Sequence, residues 1–278
     1  MANKTQILFG DIHNHNAYGY GIGSLERSID IAQTYLDFFA FTGHSSWHDM
    51  VPMDGGREQH WLKGFEKLKD GWSDVENLIA DATQDDQFSA FLGFEWHSSF
   101  FGDQCVVFPD DHQPIAYPDH IQKLREFCVD KNALMILYHL AYPSGHRGVN
   151  WAEFDECCTP VVEIFSEHGN TESDRGPYTF FNHSMGGRGT SQTVKAALEQ
   201  GQKFGFVASS DSHNRFPGAY GEGLLAVHSE NLDRGSIIKA INNRHTYALT
   251  GDRILVDFHV NGVLMGRTIK AGKEVELT

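Results

Sequence analysis

The sequence predicts an α/β fold organised as a parallel barrel, and three observations lead there. Strand-like and helix-like segments alternate along nearly the whole chain, which is the pattern of successive β/α units. The 278 residues suit a barrel of about 200–250 residues with a short extension. Histidines and carboxylates stand directly after the strands, and a parallel barrel gathers its strand ends on one face.

Taken in order, Ile7–Gly10 is a short apolar strand. Ser24 caps a helix reaching Leu36, with Leu25, Ile29 and Ala32 on one face. Phe38–Thr42 is a second, buried strand. Residues 57–82 read as helix interrupted at Gly64 and Gly71. Phe88–Trp96 and Cys105–Phe108 read as strands. Pro118–Val129 is an amphipathic helix striped by Ile121, Leu124 and Cys128. Ala133–Tyr138 is a continuous apolar run, as a strand covered on both faces requires. Val161–Phe165 follows, between long loops at 143–160 and 166–189. A helix opens at Thr190 or Ser191 and ends at Gly201. Phe204–Ser209 and Leu224–His228 are strands, and 232–243 is a helix. Ile254–Val260 alternates with the period of an antiparallel strand. Residues 1–250 are therefore expected to form one domain. Residues 251–278 are expected to be a small β extension, either the end of the chain or part of a longer protein.

Composition narrows the function. A net charge of −15 repels nucleic acid and anionic membranes, which need clustered Lys and Arg. A small anionic substrate is still compatible, because bound cations supply local positive charge. No apolar run approaches the roughly 20 residues needed to cross a bilayer, and the first residues lack a signal-peptide pattern. The four cysteines form no C-x-x-C pair and read as reduced thiols, which points to the cytoplasm. The 16 histidines are dispersed and form no tag-like run, so metal binding or proton transfer is their natural use.

Several of these histidines follow strands. The first strand runs into His13-Asn14-His15, the second into Gly43-His44, the third into Glu95-Trp96-His97. The run ending at Tyr138 leads into His139. Val161-Val162 leads into Glu163, with Glu167 and His168 just beyond, and Phe206-Val207-Ala208 leads into Asp211-Ser212-His213. In an extended H-x-H or D-x-H both side chains point the same way. One such pair is weak evidence, because an isolated histidine is more often a core or surface residue. Six polar strand ends in one chain are different, because buried polar groups are costly unless paired or ligated. Imidazole and carboxylate together suit Zn, Mn or Fe. A carboxylate such as Glu95 can bridge two ions.

These motifs resemble the PHP (polymerase and histidinol phosphatase) superfamily, and within it the CehA/McbA and DUF3604 metallohydrolase group. The similar segments are Phe94-Glu95-Trp96, His139-Leu140-Ala141-Tyr142-Pro143, Val162-Glu163-Ile164-Phe165-Ser166-Glu167-His168-Gly169, Gly187-Arg188-Gly189-Thr190, Ser209-Ser210-Asp211-Ser212-His213 and Tyr247-Ala248-Leu249-Thr250-Gly251-Asp252-Arg253-Ile254. The resemblance implies a distorted (β/α)7 barrel holding two or three divalent ions, of which the third is expected to be weak in this chain. It also implies a hydrolase of phosphoesters, or of carboxyl esters, carbamates or amides, that uses a metal-bridging hydroxide. By position, His13, His15, Glu95 and Asp211 would hold one ion. Glu95 and His139 would hold a second, with a further ligand from the loop after Glu95. His44 and His213 would serve the third. The chain departs from the family pattern at Tyr20, where relatives carry Asp or His, and at Gly43, where they carry Asp. Asp103 stands where relatives often carry a ligand histidine. The ligand lost at Tyr20 keeps a non-catalytic metal-binding module in play as a third reading.

Asp211 is expected to orient or deprotonate the attacking water. His168 is expected to protonate the leaving group, its ordinary alternative being a solvated loop residue. Arg188, between two glycines before a helix start, is expected to hold the substrate anion; its alternative is an exposed turn arginine. His146 and Arg147, in the loop after His139, lie within reach of a substrate. His97 reads more readily as structural than as a ligand. Glu163 reads equally as orienting a ligand histidine or as pairing with an arginine.

Overall fold

The computed structural model describes residues 5–175, 177, 178, 180 and 188–278. Among the described residues, ten strands form one sheet. Strands β1 (Gln6–Asp11), β2 (Phe38–Trp47) and β3 (Ser89–His97) are parallel neighbours. Strand β4 (Asp103–Val107) then runs backwards between β3 and β5 (Leu134–Tyr138). Parallel pairing resumes from β5 to β6 (Val161–Ser166) and from β6 to β8 (Gly205–Ala208), while the short β7 (Gly169–Asn170) folds back on β6. On the other side of β1, β9 (Leu224–Ser229) and β10 (Thr246–Leu249) are antiparallel. The Thr246 hydroxyl donates to the Phe206 carbonyl (2.9 Å), so β10 comes alongside β8 and the sheet curls toward its own start. The α/β class and the curled sheet agree with the sequence. The all-parallel arrangement does not hold, because β4 and β9 are reversed.

Helix α1 (Leu25–Tyr35) begins as expected, with Ser24 Oγ accepting from the Arg27 amide at 3.3 Å. Helix α2 (Glu58–Ala82) is unbroken, contrary to expectation at Gly64 and Gly71. A Cβ on Gly64 would come within 2.6 Å of the Tyr20 ring, and one on Gly71 within 2.4 Å of Tyr18. These glycines let the helix lie against two tyrosines, and the buried stripe Phe65, Leu68, Trp72, Val75 and Ile79 offsets their cost of about 1 kcal/mol each. Helix α3 (Ile121–Asp130) starts later than Pro118, at a cap made by His120 Nδ1. Helix α4 (Val194–Glu199) is capped by Thr193 and follows a 3-10 turn at Thr190–Gln192. Asp233 caps α5 (Arg234–Asn242). In the tail, Ile254–Asp257 joins no strand. There β11 (His259–Val260) pairs with β12 (Val263–Leu264), and the chain end lies along β11, with a bridge from Val260 to Leu277 and backbone hydrogen bonds between His259 and Thr278.

Successive residues of a strand face opposite sides, and the core follows that alternation. Phe39, Phe41, Ala90, Leu92 and Val106 pack outward under α1, α2 and α3. Phe38, Ala40, Phe91, Cys105, Val107, Leu134, Ile136, Tyr138, Val161 and Val207 point inward, joined by Ile237, Ile238 and Ile241 of α5. The inward rows continue toward the strand ends as His44 on β2, Glu95 and His97 on β3, and Glu163 on β6. Because β4 is reversed, its first residue, Asp103, lies at the same rim, opposite Tyr138. One period-two pattern thus builds an apolar floor and a polar rim.

Candidate metal centre

Two segments without regular pairing of their own bring the ends of β1 and β8 together. The His15 amide donates to the Ser212 carbonyl (3.0 Å), and the Asp211 amide to the His13 carbonyl (2.9 Å). Buried Asp11 clamps the junction. Its Oδ1 accepts from the amides of His13 (3.2 Å) and Ser210 (3.1 Å), and its Oδ2 from the Gly218 amide (2.7 Å) and the Ser210 hydroxyl. Sequence inspection did not single out Asp11, although an acid just before an H-x-H was the available signal.

The H-x-H and D-x-H motifs meet Glu95 in one buried cluster. His13 Nε2 contacts Glu95 Oε1 and lies 3.2 Å from Asp211 Oδ1. His15 Nε2 lies 3.0 Å from Asp211 Oδ1 and 3.2 Å from Glu95 Oε1. Across the β2–β3 pairing, His44 stands opposite Glu95, with Nε2 3.3 Å from Oε2, and His97 Nε2 is 3.4 Å from the same oxygen. His139 Nε2 and His168 Nε2 each lie 2.9 Å from Asp211 Oδ2. His213 is partly exposed and turns Nδ1 toward the Asp211 carbonyl (2.9 Å) and Glu167 (3.3 Å).

Around the cluster stand groups that aim its rings. Glu163 Oε2 lies 2.9 Å from His13 Nδ1. Asp103 Oδ2 lies 3.3 Å from His139 Nδ1 and accepts from Arg147 Nε at 2.6 Å. Asp103 therefore meets histidines and a guanidinium, and joins no group of candidate ligands among the described residues. Arg147 is 4% exposed and lies against the Trp47 and Tyr142 rings at 5.2 and 5.9 Å. It lines a 130 Å³ cavity with Tyr20, Trp61, His139, His168 and Asp211. Arg188 is elsewhere. Its Nη1 donates to the Ser173 carbonyl (3.2 Å) with Asp174 nearby, and it does not line this cavity. The Tyr20 ring stacks on His44 at 3.6 Å between centroids, and burial pushes its phenol well above the usual tyrosine range.

The charges are strongly coupled. Burial alone raises both Glu95 and Asp211, yet His15, His44 and His13 hold Glu95 well below the usual range, and His13 and His168 do the same for Asp211. Burial lowers His15, but Glu95 and Asp211 outweigh it and raise the ring to about 9. Burial with His15 beside it drives His44 well down. Burial raises Asp103, and Arg147 brings it to about 2. Glu163 is pushed up by burial to about 7 despite His13.

The donor set fits divalent cations. Imidazole nitrogens and carboxylate oxygens suit Zn, Mn or Fe. His15 Nδ1, His44 Nδ1, Glu95 Oε2 and His97 Nε2 are buried and make no hydrogen bond among the described residues, and buried polar atoms are seldom left so. Ligand atoms close enough to share one ion occur in His13–His15–Glu95–Asp211, His44–Glu95–His97, His139–His168–Asp211, His15–His44–His213 and Glu167–Asp211–His213.

Known proteins match at modest similarity. No family model matches the chain. An uncharacterized protein of Chlamydia trachomatis is 27% identical over 283 residues, covering 95% of this chain and 42% of the relative. A counterpart in Chlamydia muridarum is 25% identical with the same coverage. The chain thus spans about two fifths of the length of the curated relatives it matches. Among solved structures, a two-domain protein of Bacteroides vulgatus containing a predicted PHP-like metal-dependent phosphoesterase superposes with a TM-score of 0.52, at 16% identity over 90% of this chain and 66% of that one. The two chains share a fold. PsfC from Pseudomonas syringae shares it, with a TM-score of 0.53 and 13% identity over 88% of this chain and 91% of that one.

Proposed function

We propose that the chain is a metal-dependent hydrolase that cleaves a phosphoester in a small anionic molecule. The observation that carries this reading is the arrangement of Glu95 and Asp211. Both are buried, and each divides its two oxygens between different histidines. His13, His15, Glu95 and Asp211 would hold one ion, with His139 serving a second. His44 and His213 stand where a third would lie, and the stacked Tyr20 ring gives that position no acidic ligand. Divalent ions, when bound, supply Lewis-acid charge and lower the pKa of water. Asp211 faces the cavity and is held ionised by its histidines, as a group that orients water or takes its proton must be. The anion-holding role expected of Arg188 passes to Arg147, whose guanidinium lines the cavity while Arg188 points to Ser173.

Kinship with the CehA/McbA and DUF3604 group rests on the motif segments around His139 and Asp211. We take 1–250 as the hydrolase domain and 251–278 as an added β segment. No helix among the described residues is long and apolar enough to cross a membrane. All four cysteines are unpaired, which supports placement in the reducing cytoplasm. The net charge of −15 favours a small substrate over nucleic acid.

The test is a substrate panel at equal concentration with Mn or Zn. An aryl phosphomonoester or phosphodiester should turn over well ahead of a carboxyl ester. Rapid turnover of naphthyl acetate or a carbamate with inert phosphoesters would reassign the chemistry to ester or carbamate hydrolysis. Bound metal with every ester inert would leave a non-catalytic metal-binding module, and less than about 0.3 ion per chain after metal addition, against the tight binding such ligand sets give, would overturn the metal-dependent reading.

A further inference from the structure

We propose that the group esterified to the substrate's phosphoryl is a single flat aromatic ring, and that Trp61 and Tyr20 select it. This rests on the reading of the site as a hydrolase of small anionic esters, and it names the class of ester.

The cavity beside Asp211 has two unlike sets of lining groups. Histidines, Glu95, Asp211 and Arg147 form one, and Tyr20, Trp61 and Tyr142 form the other. The first set recognises charge, which every phosphoester carries alike. Discrimination between esters therefore falls on the three aromatic rings, as it does wherever a few polar groups orient a ligand and apolar walls enclose the rest.

Trp61 is unlike the other four tryptophans. Trp47, Trp72, Trp96 and Trp151 are at most 7% exposed. Their indole N–H groups donate to Ser99 Oγ (3.0 Å) and to the carbonyls of Gln113 (3.0 Å), Pro118 (2.7 Å) and Gln192 (3.2 Å) respectively. Trp61 is partly exposed, and its N–H donates to no group among the described residues. A tryptophan used for packing normally finds such a partner. An indole left open at a cavity instead offers a large flat face and a donor to what enters.

Tyr20 is a fixed neighbour of that indole. Its ring stacks on His44 at 3.6 Å, and a Cβ on Gly64 of α2 would come within 2.6 Å of its Cδ1. Tyr18 sits over Gly71 in the same way, so two helix-interior glycines fasten the loop after β1 to α2. Trp61 stands one turn before Gly64, on the same side of the helix. Its ring meets Tyr20 edge-on at 6.4 Å and Trp47 edge-on at 6.1 Å. Rings held in this way lose little freedom when a ligand arrives.

Size sets the limit. The cavity measures 130 Å³, well below the roughly 300–1,000 Å³ of sites for drug-sized molecules. That is the scale of a phosphoryl group with one ring, not of a nucleoside or a peptide. Aromatic rings also attract one another edge-to-face or offset, beyond the area they bury, which an aliphatic group of the same size does not reproduce.

The experiment is calorimetric titration of the full chain, loaded with Mn(II), with benzylphosphonate and with cyclohexylmethylphosphonate. Both carry the same anion, and neither can be hydrolysed. Apolar area alone favours the cyclohexyl ligand, so the sign of the preference is decisive. Benzylphosphonate should bind about threefold to tenfold more tightly, and Trp61→Leu should bring the ratio to one or below. Equal affinities in the wild-type chain, or a preference for the cyclohexyl ligand, would overturn the proposal. So would the wild-type ratio persisting in Trp61→Leu, or a crystal structure of the benzylphosphonate complex with the ring away from Trp61 and Tyr20. The wild-type ratio and that complex decide the matter even if the variant does not fold. Binding of neither phosphonate would remove the small-anion reading of the site itself, and this inference with it.

Discussion

On the inward row of β3, Phe91 stands near the floor of the barrel and Glu95 and His97 at the rim, and all three are at most 1% exposed. The two ends of one strand exclude water equally and differ only in chemistry. At the floor, burying a phenylalanine contributes about 1.5–3 kcal/mol. At the rim, burying a carboxylate costs several kcal/mol unless opposite charge and hydrogen bonds compensate. The floor stabilises the fold by itself. The rim persists because histidines surround its carboxylates, an arrangement suited to holding cations. Burial alone thus does not separate core from site; the partner of each buried group does.

The largest effect should come from removing a rim carboxylate. On the proposed hydrolase reading, Asp211→Asn and Glu95→Gln should each lower hydrolysis by about a thousandfold or more, since Lewis-acid stabilisation by bound ions would be worth several kcal/mol. Ion content should fall in parallel by elemental analysis, and wild-type turnover in Asp211→Asn would break the comparison at its rim. Next is the floor. Phe91→Ala should cost about 3–5 kcal/mol of stability in a denaturant titration, yet leave ion content per folded chain unchanged. A loss of bound metal in that variant would show that floor and rim are not separable.

The smallest effect concerns a carboxylate beside the rim that has no histidine partner among the described residues. Glu222 is half-buried, and burial together with Glu167 raises it to about 7. A raised folded value means that its contribution to stability is fully present below the unfolded value of 4.5 and is lost as pH rises through about 7. Glu222→Gln should therefore match wild type at pH 4 and be more stable at pH 8, by at most about 1 kcal/mol after solvent screening. Equal stability at both pH values would mean that burial beside Glu167 has no cost at this edge.

Much of the rim was legible because its histidines and carboxylates follow strand-like runs at fixed spacings. His13, His15, His44, Glu95, His139, Asp211 and His213 all lie in or beside one cluster, as strand ends on one face of a sheet must. Arg188 does not reach the cavity, because the turn holding it is anchored to Ser173 instead. The alternation in Ile254–Val260 was also misleading. A period of two shows that a segment suits a strand, but pairing needs a partner edge, and only His259–Val260 has one.

By itself, the sequence determined the α/β alternation, the two-faced rows of each strand and the chemical identity of the rim, because these depend on local spacing. Only the tertiary structure decided that β4 runs backwards. That reversal carries Asp103 to the rim, where it meets Arg147, 44 residues away. Strand direction and this ion pair arise from contacts between distant segments, and local periodicity carries no information about either.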